Sequence, residues 1–107
     1  MRESSGLCDL TVVVLTLNEE VHLKRCLDSV RGVAARVVVV DSLSTDRTKE
    51  IAETSGADFY SHPFVNYAKQ FNWSLDNAHI QTKWVMRLDA DEFMTPDLSV
   101  ALPRFLS

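Results

Sequence analysis

Apolar positions along the chain alternate between short unbroken runs and spaced stripes. The first run, Leu10 to Leu17 (Leu-Thr-Val-Val-Val-Leu-Thr-Leu), is continuous and rich in β-branched residues. It predicts a strand covered on both faces. Asn18-Glu19-Glu20 ends it, with Asn18 placed to cap a helix and the glutamates suited to a first turn. Val21, Leu23, Leu27 and Val30 follow with Lys24, Arg25 and Arg31 between them, an amphipathic helix ending at Gly32. Arg36 to Val40 is a second buried strand. It runs into Asp41-Ser42-Leu43-Ser44-Thr45-Asp46 and a helix over Arg47 to Thr54, closed by Gly56. Ala57 to Tyr60 predicts a short third strand and His62-Pro63-Phe64 a turn. The spacing of Tyr67, Phe71 and Leu75 along one stripe predicts a helix from Asn66 to Ala78. Lys83 to Leu88 is the fourth strand, and Thr95-Pro96-Asp97 starts a last short helix, broken at Pro103.

Strand alternating with helix is the rhythm of a parallel α/β sheet. Right-handed crossovers place helices on both faces, so the expected fold is an open parallel sheet between helices. Ligands of such sheets bind beyond the carboxyl ends of the strands, where strand order reverses. The polar clusters after the first, second and fourth strands all fall at that edge.

Composition narrows the picture. At 107 residues the chain is read as one domain, 1–107, with 1–9 a loose N-terminal tail (Met1 to Ser5 its loosest part) and 10–107 the core. A net charge of −4 offers no basic face for nucleic acid, so an anionic ligand needs a metal or a helix N-terminus. Cys8 and Cys26 lack zinc-ligand spacing and read as reduced thiols of a cytoplasmic protein. The polar start shows no signal peptide, and Thr11 to Leu17 is far short of the ~20 residues of a membrane span, so no transmembrane segment is expected. His22, His62 and His79 show no mutual spacing for a metal site.

The candidate chemistry centres on Asp89-Ala90-Asp91, at the end of the fourth strand. Side chains two apart on an extended backbone share one side. Two carboxylates so placed repel unless a cation sits between them. Mg²⁺ or Mn²⁺ takes few protein carboxylates and leaves other positions to water and phosphate oxygens. The plainer alternative is a solvated acidic turn ahead of the last helix. Thr16, Asn18 and Glu19, then Asp41, Ser42 and Asp46, join the two aspartates at the same edge. No Gly-rich turn with a Lys makes a P-loop, and no GxGxxG follows the first strand. A carboxylate after the first or second strand can accept from a uracil N–H or from ribose hydroxyls. A metal at Asp89-Ala90-Asp91 could neutralise a diphosphate and act as a Lewis acid on it.

In three places the chain resembles the N-terminal half of a family 2 glycosyltransferase of GT-A fold, Rossmann-like but truncated. Thr16-Leu17-Asn18-Glu19 matches the family's first-strand ending, and Val40-Asp41-Ser42 with Ser44-Thr45-Asp46 its second. Leu88-Asp89-Ala90-Asp91 matches its DxD motif. Gln70-Phe71-Asn72, with the Trp84 strand and Glu92, resembles the subgroup that adds glucose or related sugars to lipopolysaccharide core or other glycolipids. The match covers Thr11 to Pro96. The resemblance implies that Thr16, Asn18 and Glu19 line the nucleotide pocket, and that Asp41 accepts from the uracil. It implies that Lys69 and Gln70 face the donor, that Asp89 holds ribose or metal-bound water, and that Asp91 ligates Mn²⁺ or Mg²⁺. Beside these stand plainer roles: Asn18, Ser44 and Asp46 as helix caps, Lys69 as a solvated charge, and Tyr67, Phe71 and Trp73 as packing.

Two departures from the family pattern stand out. Leu43 occupies a position that is commonly Gly, and would be strained if that backbone needs φ > 0. The family's general base lies in a later segment, and the match gives neither Glu92 nor Asp97 that role. The resemblance therefore implies the donor half of an inverting glycosyltransferase, with a UDP-sugar donor, a divalent metal and a glycan or glycolipid acceptor. It implies a cytoplasmic setting, with peripheral association at the inner membrane face. The rival expectations are a nucleotide-binding module without transfer activity and an interaction protein. In the latter an exposed sheet edge supports self-association or pairing with a C-terminal partner chain.

Overall fold

A computed structural model describes residues 8–106. Four strands and four helices alternate: β1 (Cys8–Thr16), α1 (Leu23–Val30), β2 (Ala34–Asp41), α2 (Thr48–Thr54), β3 (Asp58–Ser61), α3 (Tyr67–Asn77), β4 (Trp84–Asp89) and α4 (Pro96–Leu106). The strands form one sheet of order β3-β2-β1-β4, every neighbouring pair parallel. β1 is central because its run is apolar on both sides: Val12, Val13 and Val14 are fully buried. Each such side chain contributes roughly 1.5–3 kcal/mol of burial.

The alternation of each strand sorts its residues between two cores. Val12, Val14 and Val39 pack with Leu23, Cys26, Leu27 and Val30 of α1, Ala52 of α2, and Leu102 and Leu106 of α4. Val13, Leu15, Val38 and Val40 pack with Phe71, Trp73 and Ala78 from α3 and its end. Helices thus cover both faces of an open parallel sheet, as the sequence rhythm implies. The chain runs outward from β1 to β3, then returns to add β4 on the other side of β1. Strand order therefore reverses between β1 and β4, and a crevice opens at their carboxyl ends.

Several local expectations are corrected. Cys8 and Asp9 belong to β1 rather than to a tail, because the Cys8 amide donates to Val33 O at 2.6 Å. Residues 1–7 of that tail lie outside the described residues. Asn18 does not cap α1. The helix starts five residues later, and Asn18 takes a left-handed backbone (φ 53°). Val21, expected on the inner stripe, is 82% exposed in the intervening turn. Along the apolar stripe of α3 Phe71 packs on the core while Tyr67 and Leu75 are exposed, and the fully buried residues of the helix are Gln70 and Ser74. Finally, Pro103 does not break α4. One proline removes one backbone bond, and Leu102 and Leu106 on either side of it still pack against the core.

The predicted closures do occur. Gly32 and Gly56 follow α1 and α2 with φ of 84° and 86°, a conformation that costs an L side chain energy. Among the described residues no helix is long and apolar enough to cross a membrane.

Candidate functional site

Two loops leave the sheet side by side, one after β1 (Leu17 to His22) and one after β2 (Ser42 to Arg47). Their polar residues bond mainly to each other. Asp41 is 2% exposed. Its carboxylate accepts from Thr16 Oγ1 at 2.6 Å, from the Ser44 amide at 2.7 Å and from Ser44 Oγ at 2.5 Å. The Asn18 amide donates to Ser44 Oγ at 2.7 Å, and Asn18 Oδ1 accepts from the Thr45 amide at 2.9 Å. The Glu19 amide donates to Thr48 Oγ1 and the Glu20 amide to Asp46 Oδ2. Glu20 Oε1 returns the link by accepting from the Arg47 amide at 3.0 Å. Asp46 Oδ1 accepts from the Thr48 amide and from Thr48 Oγ1, which ties the loop to the first residue of α2 although Arg47, not Asp46, is the N-cap position. Partial burial works against the Asp46 carboxylate, but these hydrogen bonds outweigh it and hold its pKa below the usual aspartate value. The two loops form one stiff shelf. Leu43 sits on it with φ 64° and 56% exposure, so the strained backbone that its Gly-type position raises is present.

β4 ends in the turn that carries Asp89, Ala90 and Asp91. Ala90 is buried, which anchors the turn, while Asp91 is exposed. The turn closes on itself: the Asp89 amide donates to Glu92 Oε1 at 2.8 Å and the Glu92 amide to Asp89 O at 2.9 Å. α1 holds it from behind. Cys26 Sγ lies 3.8 Å from Asp89 O, and the Met94 amide donates to Ser29 Oγ at 2.8 Å. Burial first, then the charges of Glu92, Asp89, Asp91 and Glu19, push the Cys26 thiol up to about 12, so at neutral pH it stays a protonated donor.

A cavity of about 190 Å³ opens where β1 and β4 end, at the reversal of strand order. Thr16, Glu19, Ser42, Asp89 and Asp91 supply its polar wall, and Leu17, Phe64 and Tyr67 its apolar one. A larger hollow of about 450 Å³ at the opposite end, between the ends of α1 and α2, is lined by no such cluster of carboxylates. Among the described residues Asp89 Oδ1 is buried without any hydrogen-bond partner. The nearest cation, Arg87 Nε, stands 3.7 Å away, too far to hydrogen-bond. A buried carboxylate oxygen left without a partner is costly and marks a position for a ligand hydroxyl, a water or a cation.

The described residues contain no cluster of three or more metal-type side chains. Asp89 and Asp91 with the orphaned oxygen still fit a hard divalent cation, which completes its shell with water and phosphate oxygens.

Of the residues singled out in the sequence, Thr16, Glu19, Asp89 and Asp91 meet at the cavity. Asn18 and Asp41 stand in the shelf beside it. Lys69 points to solvent, with only its amide bonded, to Asn66 Oδ1. Gln70 is 1% exposed and ties α3 inward. Its Oε1 lies 2.9 Å from His62 Nδ1, and its Nε2 donates to His62 O at 2.9 Å and to Ser42 Oγ at 3.3 Å. Neither Lys69 nor Gln70 lines the cavity. Sequence reasoning missed Phe64 and Tyr67 as lining residues. They form an edge-to-face pair 5.2 Å apart, and the Arg87 guanidinium lies 5.8 Å from the Tyr67 ring centre. The available signal was their place in and just after the His62-Pro63-Phe64 turn, which follows the third strand at the carboxyl edge of the sheet.

The sequence profile described as glycosyl transferase family 2 matches residues 11–106. An uncharacterized glycosyltransferase of Rickettsia bellii is 34% identical over 89 residues, covering 83% of this chain and 30% of that protein. The lipopolysaccharide core biosynthesis glycosyltransferase LpsC of Rhizobium meliloti is 32% identical over 103 residues, covering 92% of this chain and 37% of that protein. Among solved structures, glucosyl-3-phosphoglycerate synthase from Mycobacterium tuberculosis, crystallised with Mn²⁺, UDP and glucosyl-3-phosphoglycerate, superimposes with a TM-score of 0.69 and 28% identity over 92% of this chain and 39% of that one. TarS from S. aureus gives 0.64 and 25% over 87% of this chain and 31% of that one. The chain thus spans roughly a third of the length of the curated relatives it matches.

Proposed function

The chain belongs to glycosyl transferase family 2, and from that premise we propose that it builds the donor site for a nucleotide-diphosphate sugar, a UDP-sugar, used with Mn²⁺ or Mg²⁺. Its open parallel α/β sheet is the GT-A fold of the solved glycosyltransferases it resembles. The observation that carries the proposal is the orphaned Asp89 Oδ1 beside Asp91, in the crevice where strand order reverses. It is supported by the UDP and Mn²⁺ in the glucosyl-3-phosphoglycerate synthase crystals.

In this reading Asp89 and Asp91 hold the cation and the ribose or phosphate groups. Thr16, Glu19 and Ser42 offer polar contacts on the facing wall, with Asn18 and Asp41 keeping that wall in place. Lys69 reaches the donor by a side-chain swing, and Gln70 acts through Ser42. When bound, the cation supplies Lewis-acid stabilisation of charge on the departing diphosphate. An acceptor hydroxyl of a glycan or glycolipid attacks the anomeric carbon in line, with inversion. The likeness to LpsC supports a lipopolysaccharide-type acceptor. We place the reaction in the cytoplasm, at the inner membrane face for a glycolipid. We read the chain as one partial domain whose β4 edge pairs with a second copy or with a C-terminal partner.

Calorimetric titration of UDP with and without Mn²⁺, on a sample whose molar mass is first read by light scattering, tests this. Metal-dependent binding is expected, and its loss in Asp91→Ala without loss of fold. No binding by a folded sample in either condition overturns the donor reading, and a clean monomer at high concentration overturns self-association. A second reading, nucleotide binding without transfer, is favoured by one observation. Glu19, Asp89 and Asp91 are the only carboxylates lining the cavity among the described residues, and none is left over as a general base. Binding with no turnover of a UDP-sugar, alone or with a C-terminal partner, is its signature.

A further inference from the structure

Glu92 and α1 do something that neither the fold nor the donor reading requires of them. β4 ends at Asp89, and beyond it the chain has no ladder partner to hold it. The two aspartates nevertheless sit on a turn fixed by five contacts. Glu92 Oε1 accepts from the Asp89 amide at 2.8 Å, closing the turn over Ala90 and Asp91. The Glu92 amide donates back to Asp89 O at 2.9 Å. That same carbonyl oxygen lies 3.8 Å from Cys26 Sγ. Ser29 Oγ, one helical turn further along α1, accepts from the Met94 amide at 2.8 Å while donating to Cys26 O at 2.7 Å. Arg25 completes the row, its Nη2 3.5 Å from Asp91 O and its guanidinium 4.5 Å from the Phe93 ring centre. Residues 25, 26 and 29 share one face of the helix, so a single rigid element touches the turn at Asp89, at Asp91 and just after them at Met94.

We propose that Glu92 is a positioning residue which, with Ser29 and Cys26, sets the spacing of the Asp89 and Asp91 carboxylates for a divalent cation bound with a diphosphate. Glu92 works as a neutral-tolerant acceptor to the Asp89 amide. It is neither a metal ligand nor the general base. Outer groups of this kind commonly govern metal affinity by about 10–100-fold. The inference rests on the donor reading above for its ligand, though the bracket itself does not.

The discriminating pair is Glu92→Gln and Glu92→Ala. Glutamine keeps a carbonyl oxygen that can accept from the Asp89 amide, whereas alanine keeps none. Three readouts are taken on the whole chain: UDP affinity in the presence of Mn²⁺, the Mn²⁺ electron paramagnetic resonance spectrum, and amide hydrogen exchange at residue 89. Glu92→Gln is expected to bind within about threefold of the parent with an unchanged spectrum. Glu92→Ala is expected to lose about tenfold or more in affinity, to broaden the spectrum and to speed exchange at residue 89. Ser29→Ala is expected to follow the alanine variant in part, with Ser29→Thr restoring the parent behaviour. A glutamine variant as damaged as the alanine one overturns the proposal, because it makes the charge of Glu92 essential. An alanine variant that binds normally overturns it too. If the parent binds no UDP with Mn²⁺, the donor reading fails on its own, and exchange at residue 89 in the two variants still decides whether Glu92 holds the turn.

Discussion

Leu43 shows how much one residue can reveal. A leucine at φ 64° pays the steric cost of the left-handed region, about 1–2 kcal/mol, and at 56% exposure recovers little by burial. Replacing it by glycine removes that strain and adds back some unfolded-state entropy. Leu43→Gly is therefore expected to stabilise the chain by roughly 0.5–1 kcal/mol in urea titrations. No gain would mean that the loop relaxes without strain. Asp41 and Asn18 carry a different lesson. Both match positions that the family resemblance gives to the nucleotide, and here Asp41 accepts from Thr16 and from Ser44 of its own loop while Asn18 accepts from Thr45 of the neighbouring loop. Residue type and spacing placed both at the carboxyl edge of the sheet. They could not say whether a carboxylate faces a ligand or the protein, because that depends on which donors the fold brings within about 3 Å.

At the scale of elements, existence and order were legible and facing was less so. All four strands and four helices sit where runs and stripes predicted them, within a few residues at each end. The packing of α3 is instructive. Tyr67, Phe71 and Leu75 look like the inner stripe by hydrophobicity, yet Gln70 and Ser74 are the most buried residues of the helix. Gln70 can be buried because His62 and Ser42 satisfy both ends of its amide, and those partners come from other segments. The expected cost of Gln70→Ala is about 2 kcal/mol in chemical unfolding, since it strands buried groups on His62. Lys69→Ala, one residue away and solvent-facing, should change stability by less than about 0.5 kcal/mol. Equal effects of the two would contradict the clamp.

For the whole molecule, the charged groups give a stability profile with two limbs. Asp28, held down first by its hydrogen bond from Lys24, and Asp46, held down by the Thr48 and Glu20 hydrogen bonds against its burial, both have lowered pKa values. A lowered carboxylate stabilises the fold above its unfolded value and loses that contribution as pH falls through the folded one. The acid limb therefore opens below the ordinary aspartate value of 3.8. Cys26 acts in the opposite direction: burial raises it from 9.0 to about 12, so its contribution is whole below pH 9 and falls as pH rises toward 12. Unfolding midpoints should be flat between the limbs and drop on either side, with Cys26→Ala weakening the alkaline drop. An alkaline limb unchanged in that variant would remove Cys26 as its cause.

By itself the sequence determined the parallel α/β order and the gathering of polar residues, Asp89 and Asp91 among them, at the carboxyl edge of the sheet. Each of these follows from local periodicity and from the two-residue repeat of a strand. Only the tertiary structure decided that β4 lies beside β1, which creates the crevice. It alone joined the β1 and β2 loops through Asp41 and Asn18, brought Phe64 and Tyr67 to the cavity wall and left Asp89 Oδ1 without a partner. The reason is physical: a hydrogen bond between residues 26 or 65 apart is fixed by how elements pack, and no local pattern in the chain records it.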